Sequence, residues 1–161
     1  MTDKPKPQRP VFRPIGTAAT SLSQTTPSPK PAAPDATTNP RDLDRSRAKD
    51  AWEKIQSVKF QVYQAKYGSL ARRMPTLIQV NGLAQTLAFL TAKGKGDDHH
   101  VQMCQHISTW VCSRFGLGTN DLLNYILTMD SQRYRLATSE VLAYLQWLKR
   151  FAEAELGLEE E

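Results

Sequence analysis

Residues 134–156, YRLATSEVLAYLQWLKRFAEAEL, contain the clearest structural pattern in the sequence. Apolar side chains recur there at steps of three and four residues, which places them on one face of an α-helix. They are Tyr134, Ala137, Val141, Leu145, Leu148 and Phe151. Asp130 or Ser131 can cap the start of this helix, and Gly157 can end it. The stretch therefore predicts one long amphipathic helix.

Helical spacing also runs upstream to about residue 41, without the sustained alternation of a half-buried strand. The first predicted helix spans about 41–67, and its core stripe is Ala48, Ala51, Ile55, Val58, Val62 and Ala65. Gly68 to Pro75 predict a break, followed by a central buried helix over about 76–92 in which Gly82 permits close packing. A helix capped by Asp97 or Asp98 runs to about Arg114, and Thr119 or Asn120 caps a short one. The pattern predicts an all-α bundle of about five to six helices.

Residues 1–40 have a different composition. They hold nine of the ten prolines, and Ser, Thr, Ala and Lys make up much of the rest. Such a segment cannot bury a core, so we expect a disordered basic arm over 1–40, an all-helical domain over 41–158 and a frayed acidic tail over 159–161. The arm is either a plain solvated tail or a segment that binds RNA or a partner.

Charge is unevenly distributed along the 161 residues. The net charge is +3 over residues 1–40 (five basic, two acidic), +7 over 41–95 (eleven and four) and −5 over 96–161 (five and ten). A basic half attracts polyanions, although a solvated face has the same composition. No stretch is long and apolar enough to cross a bilayer, and Cys104 and Cys112 are too far apart on one helix for a disulfide. We expect a cytoplasmic protein.

Motifs of the common enzyme classes are absent from the sequence: it has no Walker loop, dinucleotide fingerprint, GxSxG elbow or HExxH. We therefore expect no enzymatic activity and no cofactor. The nearest candidates for metal ligands are His99, His100, Cys104, His106 and Cys112. Their spacing differs from the two short-spaced ligand pairs of a structural zinc site, so we expect no metal.

Two sets of residues are candidates for binding. The nucleic-acid candidates are Lys54, Lys59, Lys66, Arg72, Arg73, Lys93 and Lys95. Because they lie on the first helix and at both ends of the predicted central helix, they predict a track of phosphate contacts, with simple solvation as the alternative. The partner-binding candidates are Trp52, Phe60, Tyr63 and Tyr67, on a second stripe of the first helix. That stripe is either covered by neighbouring helices or exposed as a partner or base-stacking surface.

Two segments, together with the first predicted helix, resemble a known family. MPTLIQVNGLAQTLAFLTAKG (74–94) and YRLATSEVLAYLQWLKRFAEAEL (134–156) are similar to the small helical subunit of the type III-B CRISPR effector, the Cmr complex, and KIQSVK with KYGSLARRMPTL is similar to the N-terminal region of that family. The resemblance covers roughly residues 46–156 and leaves the arm outside.

The resemblance implies a non-catalytic subunit of an antiviral ribonucleoprotein, present in several stacked copies. Its partners would be guide RNA and target RNA, RAMP-type backbone subunits and the large subunit, with cleavage assigned to those partners. Lys54, Lys66, Arg72 and Arg73 are the first matching cations that would face RNA, followed by Lys59, Lys93 and Lys95. The main alternative is a helical adaptor that binds only protein. A helix-turn-helix regulator fits less well because no polar recognition helix is present, and a metalloenzyme fits least.

Overall fold

The computed structural model describes residues 39–96 and 98–156, and every regular element in these ranges is an α-helix. The helices are α1 (Pro40–Val58), α2 (Gln64–Asn81), α3 (Leu83–Lys93), α4 (His99–Arg114), α5 (Leu122–Thr128) and α6 (Ser131–Glu155). The predicted all-α fold class is confirmed. Several predictions lie outside the described residues: the arm apart from Asn39 and Pro40, a cap at Asp97, the helix end at Gly157 and the acidic tail. None of the described helices has the length and apolarity needed to span a membrane.

Four helices begin at a side chain that accepts a backbone hydrogen bond: Asn39 for α1, Asp98 for α4, Asp121 for α5 and Asp130 for α6. Asp130 accepts two, from the N–H groups of Gln132 (2.9 Å) and Arg133 (2.8 Å). The sequence predicted the caps of α4 and α6 but placed that of α5 too early. Thr119 instead supports the true cap, because its hydroxyl accepts the N–H of Asp121 at 3.1 Å.

The predicted first helix over 41–67 is wrong, because a bend over residues 59–63 divides it into α1 and α2. Phe60 leaves the helical region at φ +73°. Its N–H donates to Oε1 of Gln64 at 2.8 Å, which replaces the lost helical bond. Val62, predicted to face the core, is fully exposed at the bend. Ala51, Ile55 and Val58 are buried as predicted.

The break predicted over Gly68 to Pro75 is also wrong, since α2 continues through both residues and buries them. The break comes at Gly82, whose φ of +82° and ψ of 161° are accessible essentially to glycine alone. There the hydroxyl of Tyr134 on α6 accepts the N–H of Leu83 at 3.1 Å and caps α3 from another helix. Packing of α2 against α6 thus outweighs the local preference of glycine and proline to interrupt a helix.

Helix α6 is the centre of the bundle and packs against α1, α2 and α4. Its buried face includes Ala137, Val141, Tyr144, Leu145 and Leu148, largely as the sequence predicted. The predicted central helix over 76–92 is wrong in two respects: Gly82 divides it, and Val80 (76% exposed) and Phe89 (41% exposed) lie at the surface.

Polar contacts fix α1 and α4 to α6. Glu140 on α6 accepts a bidentate pair from Arg47 on α1, at 2.9 Å from Nε and 2.7 Å from Nη2. The same carboxylate accepts the indole N–H of Trp110 on α4 at 2.9 Å. The hydroxyl of Tyr144 donates to Asp50 at 2.6 Å. These contacts join α1 and α4 through α6.

Candidate nucleic-acid interface

The predicted cations lie on α1, on α2 and around the loop that joins α3 to α4. That loop returns to the start of α2, so that Lys95 and Lys66 border one groove of about 320 Å³. The groove is lined by Val62, Tyr63, Lys66, Lys95, Asp98 and His99. Arg72 and Arg73 lie in the middle of α2, so their predicted position in a loop at a helix end is wrong. The structure therefore brings Lys66 and Lys95 together.

Arg72 and Arg73 lie on different sides of α2. Lys66 and Arg73 are seven residues apart, nearly two full turns, so they share one side of α2 about 10 Å apart. Both are exposed. Arg72 lies about a third of a turn away from that side and is half-buried. Its Nε atom is buried and has no hydrogen-bond partner among the described residues. Arg73, and not Arg72, continues the line of charge from Lys66.

The charges of two lysines act on histidines of α4. Burial lowers the pKa of His99, and the charges of His100 and Lys66 add to the effect against the opposing carboxylate of Asp98. Burial and the charge of Lys54 lower the pKa of His106 to about 4. Because these histidines are seven residues apart, Lys66 and Lys54 act on points of α4 that are about 10 Å apart. We call Lys54, Lys66, Arg73 and Lys95 the cationic track.

Besides Arg72, two predicted cations lie outside the track. The ammonium group of Lys59 is 2.6 Å from Oε2 of Glu155 on α6, and this bond lowers the pKa of Glu155. Lys59 is thereby paired inside the protein. Lys93 is exposed in the last turn of α3, where a cation offsets the negative end of the helix dipole.

The four predicted aromatic residues do not form one surface. Tyr67 is fully buried, and its hydroxyl lies 2.7 Å from Nδ1 of His106, so a partner cannot reach it. Trp52 packs edge-on against Phe151 with ring centroids 5.3 Å apart. Tyr63 is half-buried in the wall of the groove. Phe60 is 87% exposed at the bend.

The candidate metal ligands do not all meet at one point either. His106 is buried against Tyr67, Cys112 is buried, and Cys104 lies 4.0 Å from the hydroxyl of Thr91. Asp98, His99 and His100 do place one donor atom each within 4.8 Å of one another. Burial would raise the pKa of the Asp98 carboxyl group, but the hydrogen bonds that it accepts from His100 outweigh burial and lower it. The charge of Lys66 and the positive end of the α4 dipole both oppose a cation at this point.

Comparisons with known proteins give a consistent result. Residues 43–155 match the family described as CRISPR-associated protein (Cas_Cmr5). The CRISPR system Cmr subunit Cmr5 of Thermus thermophilus is 29% identical over 107 residues, which are 66% of this chain and 90% of that protein. The X-ray crystal structure of a CRISPR-associated Cmr5 family protein from the same organism aligns with a TM-score of 0.61 and 27% identity, covering 71% of this chain and 96% of that chain. The family match begins beyond the proline-rich segment.

Proposed function

Because the chain belongs to the Cmr5 family of CRISPR-associated proteins, we propose that it is a non-catalytic small subunit of a type III-B CRISPR effector, the Cmr complex. In this role it contacts the phosphate backbone of guide and target RNA and packs against RAMP-type backbone subunits, the large subunit and further copies of itself in the cytoplasm.

The observation that carries the RNA contact is the arrangement of the cationic track. Lys66 and Lys95 share a groove, Arg73 continues the line along α2, and the charge of Lys54 acts on His106, two turns along α4 from His99. A line of separate cations suits a nucleic-acid backbone, which presents charge at intervals and is bound without base preference. A pocket for a small anion would instead require the cations to converge on one point.

A non-catalytic role is supported by the hydrogen-bond partners of the buried ionisable groups. His106 is hydrogen-bonded to Tyr67, and Tyr144 is hydrogen-bonded to Asp50. Glu140 is held by Arg47 and Trp110. Each of these contacts joins two helices of the bundle, which is a structural use of the group.

The RNA contact is tested by charge reversal with a matched control. Lys66→Glu, Arg73→Glu and Lys95→Glu together remove three exposed members of the track. Arg41→Glu, Arg45→Glu and Arg135→Glu change the net charge equally at exposed positions outside it. Fluorescence anisotropy with a single-stranded RNA, repeated over a range of salt concentrations, measures both variants. We expect the track variant alone to lose affinity and its slope of log K against log[salt] to fall by roughly 2, at about 0.7 per phosphate contact.

The alternative function, a protein adaptor without RNA contacts, is favoured by one observation, the exposure of Phe60 and Val62 at the bend. Equal RNA affinity of the two triple variants would contradict RNA contacts by the cationic track and would favour the adaptor. Reconstitution with the other subunits after ribonuclease treatment tests the same choice, because an adaptor assembles without RNA. The mass of the reconstituted particle tests for several copies of this subunit.

A further inference from the structure

Phe60 occupies a conformation that its side chain disfavours. It is the one non-glycine residue with positive φ (+73°) among residues 39–96 and 98–156. A bulky residue in this left-handed region strains the backbone, whereas glycine adopts it freely. The phenyl ring is also 87% exposed, so it gains little from burial. Glycine at this position would avoid both costs, which indicates that the ring serves something other than the fold.

The contacts around Phe60 hold the ring outward. Its N–H donates to Gln64, which fixes the backbone on the α2 side. Lys59 places its ammonium 5.6 Å from the centre of the ring, and the pairing of Lys59 with Glu155 anchors that lysine to α6. The bend thus presents a flat aromatic surface in a defined position.

The bend adjoins the cationic track. Val62 and Tyr63, two and three residues beyond Phe60, line the groove that holds Lys66 and Lys95. Two residues of extended chain span about 7 Å at most, so the backbone of Phe60 lies close to the wall of that groove. An exposed aromatic ring beside a line of cations is the usual arrangement for single-stranded nucleic acid, in which bases stack on rings and phosphates contact cations.

We propose that Phe60 is a stacking platform for an unpaired base of the RNA whose phosphates contact the cationic track; this rests on the RNA contact proposed above. Charge favours RNA over a protein partner, because the groove beside the ring is bordered by Lys66 and Lys95. An aromatic anchor for a protein instead fills a desolvated pocket surrounded by near-neutral contacts. Stacking tolerates every base, so the platform adds affinity without sequence preference.

The experiment separates stacking from phosphate contacts. Two probes are used: an oligouridine, and an abasic ribose-phosphate oligomer with the same number of phosphates. Phe60→Gly in the full chain is expected to weaken oligouridine binding roughly 5- to 150-fold, the range for loss of one stacked base, and to leave abasic binding unchanged. Phe60→Trp should retain oligouridine binding. Leu136→Ser, at an exposed apolar residue of α6 outside the groove and the track, is the matched control and should behave as the unsubstituted protein.

Thermal unfolding of the same variants tests the strain argument. Phe60→Gly, and Phe60→Asn as a second residue that tolerates positive φ, should unfold at the same or a higher temperature than the unsubstituted chain. A lower melting temperature for both would give the ring a structural role and overturn the proposal.

The remaining outcomes distinguish this inference from the proposed function. Unchanged oligouridine binding by Phe60→Gly, together with weakened binding of both probes by the track variant, would overturn stacking and leave the RNA contact standing. No effect from either variant would overturn both. Loss of assembly with the other subunits at unchanged RNA affinity would make Phe60 a protein anchor and also overturn stacking.

Discussion

The hydroxyl of Tyr67 on α2 and Nδ1 of His106 on α4 lie 2.7 Å apart in the core of the bundle. His106 is 5% exposed, and burial together with the charge of Lys54 lowers its pKa to about 4, from 6.5 in an unfolded chain. The imidazole is therefore neutral in the folded protein at neutral pH. This contact couples the folding of α2 against α4 to the protonation of a single side chain.

We predict that His106 makes the protein less stable as the pH falls from about 6.5 to about 4. In this window the unfolded chain binds a proton at His106 that the folded chain excludes, so the free energy of unfolding decreases with falling pH. The loss from this group at about pH 4.5 is roughly 2 to 3 kcal/mol. Urea unfolding at about pH 7 and pH 4.5 measures it.

His106→Asn is the control, because asparagine can bond to Tyr67 without titrating. The variant is expected to be less stable at both pH values, since the smaller side chain fills the site less well. The difference between its two stabilities should be smaller than in the unsubstituted protein by the amount given above. An identical pH dependence in the two proteins would contradict the assignment.

Glu140 is predicted to be the most sensitive carboxylate of α6. Glu140→Gln leaves Arg47 half-buried without its bidentate partner and replaces an ionised acceptor for the indole N–H of Trp110. We expect a loss of about 2 to 4 kcal/mol, since the guanidinium group of Arg47 keeps only its longer contact with the exposed Asp44, at 3.7 Å. Chemical denaturation measures the loss. Glu153→Gln, at an exposed position of the same helix, should cost less than about 0.5 kcal/mol. Equal effects of the two substitutions would refute the network.

Tyr134 is predicted to act as the cap of α3. The start of that helix has no capping side chain of its own at Gly82, and the Tyr134 hydroxyl accepts the N–H of Leu83 instead. Tyr134→Phe should therefore cost about 1 kcal/mol, the usual value for a lost helix cap. Tyr125→Phe is the matched control, because the Tyr125 hydroxyl accepts a bond from the exposed Arg133 and caps no helix. Amide hydrogen exchange would show faster opening of the first turn of α3 in Tyr134→Phe alone; a global change without this local effect would contradict the capping role.

How far the sequence predicts the fold depends on whether the signal is local. The periodicity of α6 and the caps at Asp98 and Asp130 are local, and they were predicted correctly. The bend at Phe60 was missed because KFQVY (59–63) contains no glycine or proline and continues the helical spacing. The break was placed at Gly68 to Pro75, because glycine and proline there are the stronger local signal for the end of a helix, and Gly82 was interpreted as a site of close packing. In the structure, α2 is buried around Gly68 and Pro75, and this burial outweighs their local preference.

The candidate site was predicted only in part, for a related reason. Composition identified the cations, but whether a cation is available depends on contacts between distant parts of the chain. Lys59 and Glu155 are 96 residues apart in sequence, and no pattern relates them. The meeting of Lys66 with Lys95 likewise depends on where the α3–α4 loop returns. Exposure of Phe60 follows from a backbone angle that no sequence signal marks.

The different positions of Lys59 and Lys66 predict different effects on RNA binding. The double variant Lys59→Met, Glu155→Gln removes an ion pair. The double variant Lys66→Met, Glu153→Gln removes one cation of the track and one exposed carboxylate. Both leave the net charge of the protein unchanged. The first should leave the salt slope for single-stranded RNA unchanged, because Lys59 is already paired with Glu155 and contacts no phosphate. The second should weaken binding and lower the salt slope by about 0.7, the value for one phosphate contact. Anisotropy titrations over a range of salt concentrations measure both quantities. An equal fall of the salt slope in the two double variants would mean that Lys59 leaves Glu155 for the RNA, and Lys59 would then belong to the track.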